Sequence, residues 1–227
     1  MNNPPVIASM PSPSCRSKVR VKICGITNPE DAEAAIEAGA DALGFNGFTG
    51  SKRYIDLRQA SAWIAQLPPL VMRVAVLVNP TVEEALSVLA LPGIDLVQFH
   101  GDEPPEFCHQ FSGRGFVKAL AAKDRGSLSD CEAFQTAAIL LDAFVPGAYG
   151  GTGQLIDLAL AAAFVREHPR LRVILSGGLT PENVGQAVRA VRPYAVDVAS
   201  GVESHSRKKD SSRMRDFIAV AKAWHEG

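Results

Sequence analysis

Short apolar, β-branched runs bounded by turn residues alternate along the chain with stretches whose apolar positions recur at helical spacing. The runs are Arg20–Cys24, Asp41–Phe45, Met72–Val78, Leu96–Phe99, Gly115–Leu120, Ala138–Asp142, Arg172–Ser176 and Ala195–Ala199. Their near-continuous apolar character marks parallel strands covered on both faces. Between them the periodicity predicts helices over Pro29–Ala38, Leu57–Gln66, Val82–Leu89, Glu103–Gln110, Leu155–Glu167 and Pro181–Ala190, with a last one over Lys209–His225. Capping chemistry opens several of them: Asn28 before Pro29, Thr81 before Val82, and Thr180 followed by Pro181. Lys123–Phe134 is the weak unit; it is broken by Gly126, has little periodicity and reads as a short helix or a loop. Alternating β and α units lead to a parallel sheet, and eight of them to a single closed (β/α)8 TIM barrel of class α/β. An open doubly wound sheet is the competing arrangement, but no G-x-G-x-x-G follows the first strand.

The length of 227 residues suits one such barrel, placed at 19–227, with 1–18 as a disordered N-terminal extension rich in Pro, Ser and Asn. A formal net charge of -1 gives no basic footprint for nucleic acid. No apolar run is long enough for a membrane span, and the first residues lack the apolar stretch of a secretion signal. Cys15, Cys24, Cys108 and Cys131 have no C-x-x-C spacing, which argues against a zinc site or a disulfide framework and for a cytoplasmic, reducing compartment. Cys15 reads as a bystander.

In a barrel, chemistry collects at the C-terminal ends of the strands. Those ends carry Cys24, Asn46, Asn79, His100, Asp142, Ser176 and Ser200. Asn79 and Ser176 read as ordinary loop residues. A thiol needs only a small downward shift to act as a base at neutral pH, and the helix starting after Cys24 would supply it; the bland alternative is a small buried hydrophobe. Asp142 follows Ala-Ile-Leu-Leu, so its carboxyl is partly desolvated, which favours a form that holds a proton for donation. Gly177-Gly178 and Ser200-Gly201, after adjacent late strands, suit backbone cradling of a phosphate. Gly147–Gly153 has the flexibility of a lid. Lys52-Arg53 lies in the second βα loop, where the guanidinium either holds a carboxylate or is a solvated basic turn. His100 either orients substrate or caps its loop.

The segments Val21-Lys-Ile-Cys-Gly-Ile-Thr27, Val97-Gln-Phe-His-Gly-Asp-Glu103, Leu140-Leu-Asp-Ala143 with Gly150-Gly-Thr-Gly153, Ser176–Val184, and Asp197–Glu203 followed by Lys209-Asp210 resemble the phosphoribosylanthranilate isomerase family. The resemblance runs from first strand to last. It implies a (β/α)8 barrel that performs the Amadori rearrangement of a phosphorylated aminosugar in tryptophan biosynthesis, an aldose–ketose isomerisation. It implies no metal and no organic cofactor, a small-molecule partner rather than nucleic acid or membrane, and a monomer or homodimer. It implies Cys24 as general base and Asp142 as general acid. By the same resemblance Arg53 receives the anthranilate carboxylate, Gly177, Gly178 and Gly201 receive the phosphate, and Asp197 lies nearby. His100 and Ser200 join the binding residues. The second loop departs from the family pattern, reading Gly44-Phe-Asn-Gly-Phe-Thr-Gly-Ser-Lys-Arg53 without the proline before the arginine. The run His205–Asp210 also differs, and its added positive charge reads as solvated. A sugar-phosphate barrel with another substrate and a non-catalytic homologue are the competing readings.

Overall fold

The computed structural model describes residues 19–136, 138–144 and 154–223. The expected extension, the glycine-rich lid and the end of the last helix lie outside the described residues.

Eight strands close a barrel in chain order, all pairs parallel: β1 (Arg20–Cys24), β2 (Ala42–Asn46), β3 (Met72–Leu77), β4 (Leu96–Phe99), β5 (Phe116–Ala122), β6 (Ala138–Ala143), β7 (Arg172–Leu175) and β8 (Ala195–Val198). The ring shuts where β1 meets β8, with Lys22 level with Asp197. Around it run α1 (Pro29–Glu37), α2 (Leu57–Ile64), α3 (Val82–Leu89), α4 (Pro105–His109), α5 (Leu158–Glu167), α6 (Val184–Val191) and α7 (Ser211–Lys222). A small hairpin, β9 (Glu203–His205) and β10 (Lys208–Lys209), precedes α7. The predicted caps of α1 and α3 form: Asn28 Oδ1 accepts from Asp31 N–H at 2.8 Å, and Thr81 and Glu84 make a reciprocal capping box.

Several elements differ from expectation for local reasons; α5, expected from Leu155, starts at Leu158 under an Asp157 cap. The fifth unit is two 3₁₀ turns, 126–128 and 131–134, because Asp124 and Ser127 bond each other's backbone and tie the segment into a turn. Helix α4 begins after Glu103, whose carboxylate is drawn beneath the loops by Lys118 at 2.7 Å. Helix α6 begins at Val184, since Asn183 accepts from Thr180 N–H and donates to Gly178 O, a turn that replaces the expected Thr180 cap. Helix α7 begins at Ser211 under an Asp210 cap, and Lys209 goes into the hairpin and is buried.

Strand alternation builds two cores. Outward-facing Val21, Ile23, Leu43, Phe45, Phe99 and Ile139 pack against the helices, all fully buried. Phe99 touches Phe107 and Phe111, with ring centroids 5.2 and 4.9 Å away, which pins α4 to β4. Inward-facing Val117, Ala119, Leu140, Ile174 and Ala195 form a smaller plug. Two residues beyond Leu140, Ile174 and Ala195 the buried inward positions are polar, Asp142, Ser176 and Asp197, with Lys22 of β1 level with Asp197. The barrel interior is thus apolar beneath and polar toward the C-terminal ends of these strands.

Candidate active site

Cys24 ends β1, one pleat above Lys22 on the same inward face. The Lys22 ammonium donates to Asp197 Oδ1 at 2.6 Å, and its charge acts on the Cys24 sulfur two residues further along the strand. Asp197 Oδ2 accepts from the Ser176 hydroxyl at 3.2 Å. Ser176 therefore points into the barrel, a correction to its reading as a loop residue. The thiol also departs from expectation. Burial pushes its pKa up from 9.0, and this outweighs the downward pull of Lys22 and Lys209. The opposing pull comes from buried ammonium groups, where the sequence suggested a helix N-terminus.

Asp142 sits at the matching inward position of β6 and is 7% exposed. Its Oδ1 accepts from Ala143 N–H at 2.9 Å, and its Oδ2 lies 3.2 Å from His100 Nε2. Strand β5 lies between β4 and β6, so this contact spans one strand of the rim. His100 Nδ1 is 2.8 Å from the amide nitrogen of Gln98, a donor; Nδ1 is then the acceptor, and Nε2–H donates to Asp142. His100 is accordingly more than a loop cap. Gly177 passes against Asp142, where an added Cβ would lie 3.2 Å from Oδ1. The site is one arc: Cys24, Lys22, Asp197, Ser176, then Asp142 and His100.

Arg53 is half-buried beside Cys24, and it is not a solvated turn. Its Nε and Nη2 donate to the two oxygens of Glu203 at 2.6 and 2.8 Å, a bidentate pair. Lys209 Nζ approaches the same carboxylate at 3.2 Å and donates to Ala199 O at 2.9 Å. Burial pushes the Glu203 carboxyl up, but the hydrogen bonds and charges of Arg53 and Lys209 prevail, and its pKa lies below 4.5. The remaining N–H groups of Arg53 lie outside this pair. Gly25 makes the approach of Arg53 feasible: its φ of 74° suits glycine, and a Cβ there would overlap Arg53 Cδ.

Gly178, Ser200 and Gly201 line one cavity of about 560 Å³, together with Thr180, Ser204 and Arg213. Gly177 is not among its walls and faces Asp142 instead. The cavity's acidic neighbours are engaged elsewhere, Glu203 with Arg53 and Asp210 with the first turn of α7. Arg213 Nε donates to Gly201 O at 3.0 Å, which braces the loop after β8. Ser200–Val202 forms a 3₁₀ turn there. The run His205–Arg207 is exposed as expected, but Lys208 bonds Asp31 at 2.9 Å and Lys209 is buried.

Lys22, Glu203, Lys209 and Arg213 were not singled out by sequence. Lys22 had a signal: it lies two residues before Cys24, hence on the same strand face. Arg53 and Glu203 are 150 residues apart, and no local pattern joins them.

A family model described as N-(5'phosphoribosyl)anthranilate (PRA) isomerase matches residues 21–220. The N-(5'-phosphoribosyl)anthranilate isomerase of Geobacter metallireducens is 51% identical over 205 residues, 90% of this chain and 100% of that relative. The crystal structure of phosphoribosyl anthranilate isomerase from Thermotoga maritima superposes with a TM-score of 0.82 at 42% identity, covering 91% of this chain and 100% of that one. Another solved isomerase, in complex with reduced 1-(o-carboxyphenylamino)-1-deoxyribulose 5-phosphate, gives a TM-score of 0.79 at 40% identity, with 91% and 100% covered. With matches along the whole barrel and at this level of identity, the chain belongs to the N-(5'-phosphoribosyl)anthranilate isomerase family.

Proposed function

We propose that the Amadori rearrangement of N-(5'-phosphoribosyl)anthranilate, the reaction of this family in tryptophan biosynthesis, runs here between Asp142 as general acid and Cys24 as general base. Asp142 gives its proton to the ring oxygen of the ribose as the bond from that oxygen to carbon 1 breaks. The lone pair of the anthranilate nitrogen forms the new bond to carbon 1, which leaves a protonated imine. That cation acidifies the neighbouring carbon–hydrogen bond. The Cys24 thiolate then takes the proton from carbon 2, and the electrons left behind neutralise the iminium as an enol amine. Tautomerisation gives 1-(2-carboxyphenylamino)-1-deoxyribulose 5-phosphate. Acid and base must work from opposite sides of one sugar.

The observation that carries this reading is the placement of Cys24 and Asp142 at the inward C-terminal ends of β1 and β6, across one mouth. Arg53, held by Glu203, offers its remaining N–H groups to the anthranilate carboxylate. Gly178, Ser200 and Gly201 offer the cavity for the phosphate, and Gly177 borders Asp142. His100 and Asp197 hold the acid and the base sides in place. Among the described residues no helix is long and apolar enough to cross a membrane, and a base whose sulfur must stay unoxidised fits a reducing cytoplasm. Cys24→Ala and Asp142→Asn should each lower kcat by about 10²–10⁴-fold, followed by anthranilate fluorescence, with the melting temperature kept. Near-normal turnover in either variant removes that residue from the mechanism.

A further inference from the structure

We propose that Lys22 is a positioning residue for the reaction: its ammonium, anchored by Asp197 inside the barrel, supplies the counter-charge against which Cys24 becomes a thiolate. This deepens the reading of Cys24 as the base and rests on it. Lys22 and Cys24 alternate on β1, so both side chains enter the barrel on the same face. Neighbouring β2 leaves room for them: a Cβ on Gly44 would sit 2.7 Å from the sulfur and 3.0 Å from Lys22 Nζ.

A buried lysine–aspartate pair often adds no stability over well-packed apolar side chains, so stability alone does not account for it. The sulfur as third member supplies a reason. The charged groups facing Cys24 are Lys22 from its own strand, Asp197 from β8, Lys209 from β10 and Arg53 from the loop after β2. Arg53 and Lys209 share Glu203, whereas the Lys22 ammonium stands on the sulfur's own strand face, the two groups bordering Gly44 together. Lys22 does not itself act as the base. Burial favours its neutral form, but the carboxylate of Asp197 prevails and the pKa is raised, so the proton stays on Lys22 throughout.

The test is alkylation of Cys24 by iodoacetamide as a function of pH, read on the Cys24 peptide by mass spectrometry. It is run on the full chain, on Lys22→Met and on Lys22→Met/Asp197→Asn, beside the pH profile of kcat/KM. The double variant leaves no unpaired buried carboxylate, so it reports even where the single one folds poorly. The alkylation midpoint should rise by about 1–3 pH units in Lys22→Met and by less in the double variant, with the acid limb of kcat/KM moving in step. An unmoved alkylation midpoint in a folded variant overturns the role of Lys22. A midpoint that moves while the kcat/KM limb stays fixed overturns instead the reading of Cys24 as the base.

Discussion

Two buried lysine–carboxylate pairs of nearly equal geometry serve this barrel differently. Lys118 meets Glu103 at 2.7 Å and Lys22 meets Asp197 at 2.6 Å, with all four side chains almost wholly buried. The first pair lies on the outer face of the barrel and closes on backbone. Lys118 also donates to Gly101 O at 2.6 Å, and Glu103 accepts from Asn79 N–H and Gly101 N–H at 2.8 and 3.0 Å. It ties the loops after β3 and β4 to β5. The second pair lies inside, where Asp197 also accepts from the Ser176 hydroxyl and the Lys22 charge faces the Cys24 sulfur. A buried ion pair is therefore no site in itself. The third group it touches decides whether it holds a loop or tunes a reactive atom.

That contrast is easiest to break at Lys118. Lys118→Met strands Glu103 as a buried carboxylate and should cost about 3–5 kcal/mol of stability, seen as a lower urea midpoint. The kcat/KM per folded molecule should stay at the parent value. A large fall in kcat/KM with stability intact would reverse the assignment of the two pairs. A smaller effect is expected at the rim of the site. Glu203→Gln removes the bidentate partner that aims Arg53, and should raise KM roughly tenfold while kcat changes by less than about threefold. A kcat loss as large as that of Cys24→Ala would place Glu203 in the chemistry itself.

The smallest effect is on acid stability. Burial pushes the Asp31 carboxyl up, but Lys208 and the Lys209 N–H prevail and hold it below 3.8; Glu203 is likewise held below 4.5. Both carboxylates bind protons less readily folded than unfolded, so their stabilisation is complete above about pH 4.5 and is lost as pH falls through the folded values. The urea midpoint should therefore be level from neutrality to about pH 5 and fall below that. Asp31→Asn should lower the midpoint at pH 7 and make the acid fall shallower. An unchanged slope would show that Asp31 is not ion-paired in solution.

The strands were legible because parallel barrel strands are buried on both faces and read as bounded β-branched runs. Cys24 and Asp142 stood out for the same reason: each is a polar end to an apolar run. Lys22 was hidden in plain view, since a lysine inside a strand reads as a surface contact unless its partner across the barrel seam is known. The fifth unit failed because Asp124 and Ser127 bond the backbone locally, an alternative to helix that periodicity does not detect. The helical pattern carries the last helix back to Lys209, but the carboxylate of Glu203 and the carbonyl of Ala199 draw this residue into the hairpin. The expected lowering of the Cys24 thiol left out the cost of placing a charge away from water at this strand end.

The most direct measurement is release of tritium from carbon 2 of the substrate ribose into water during a single turnover. In the parent enzyme release should keep pace with product formation. In folded Cys24→Ala it should slow by about 100-fold or more. Release within tenfold of the parent rate in that variant would mean that some group other than the Cys24 sulfur takes the proton.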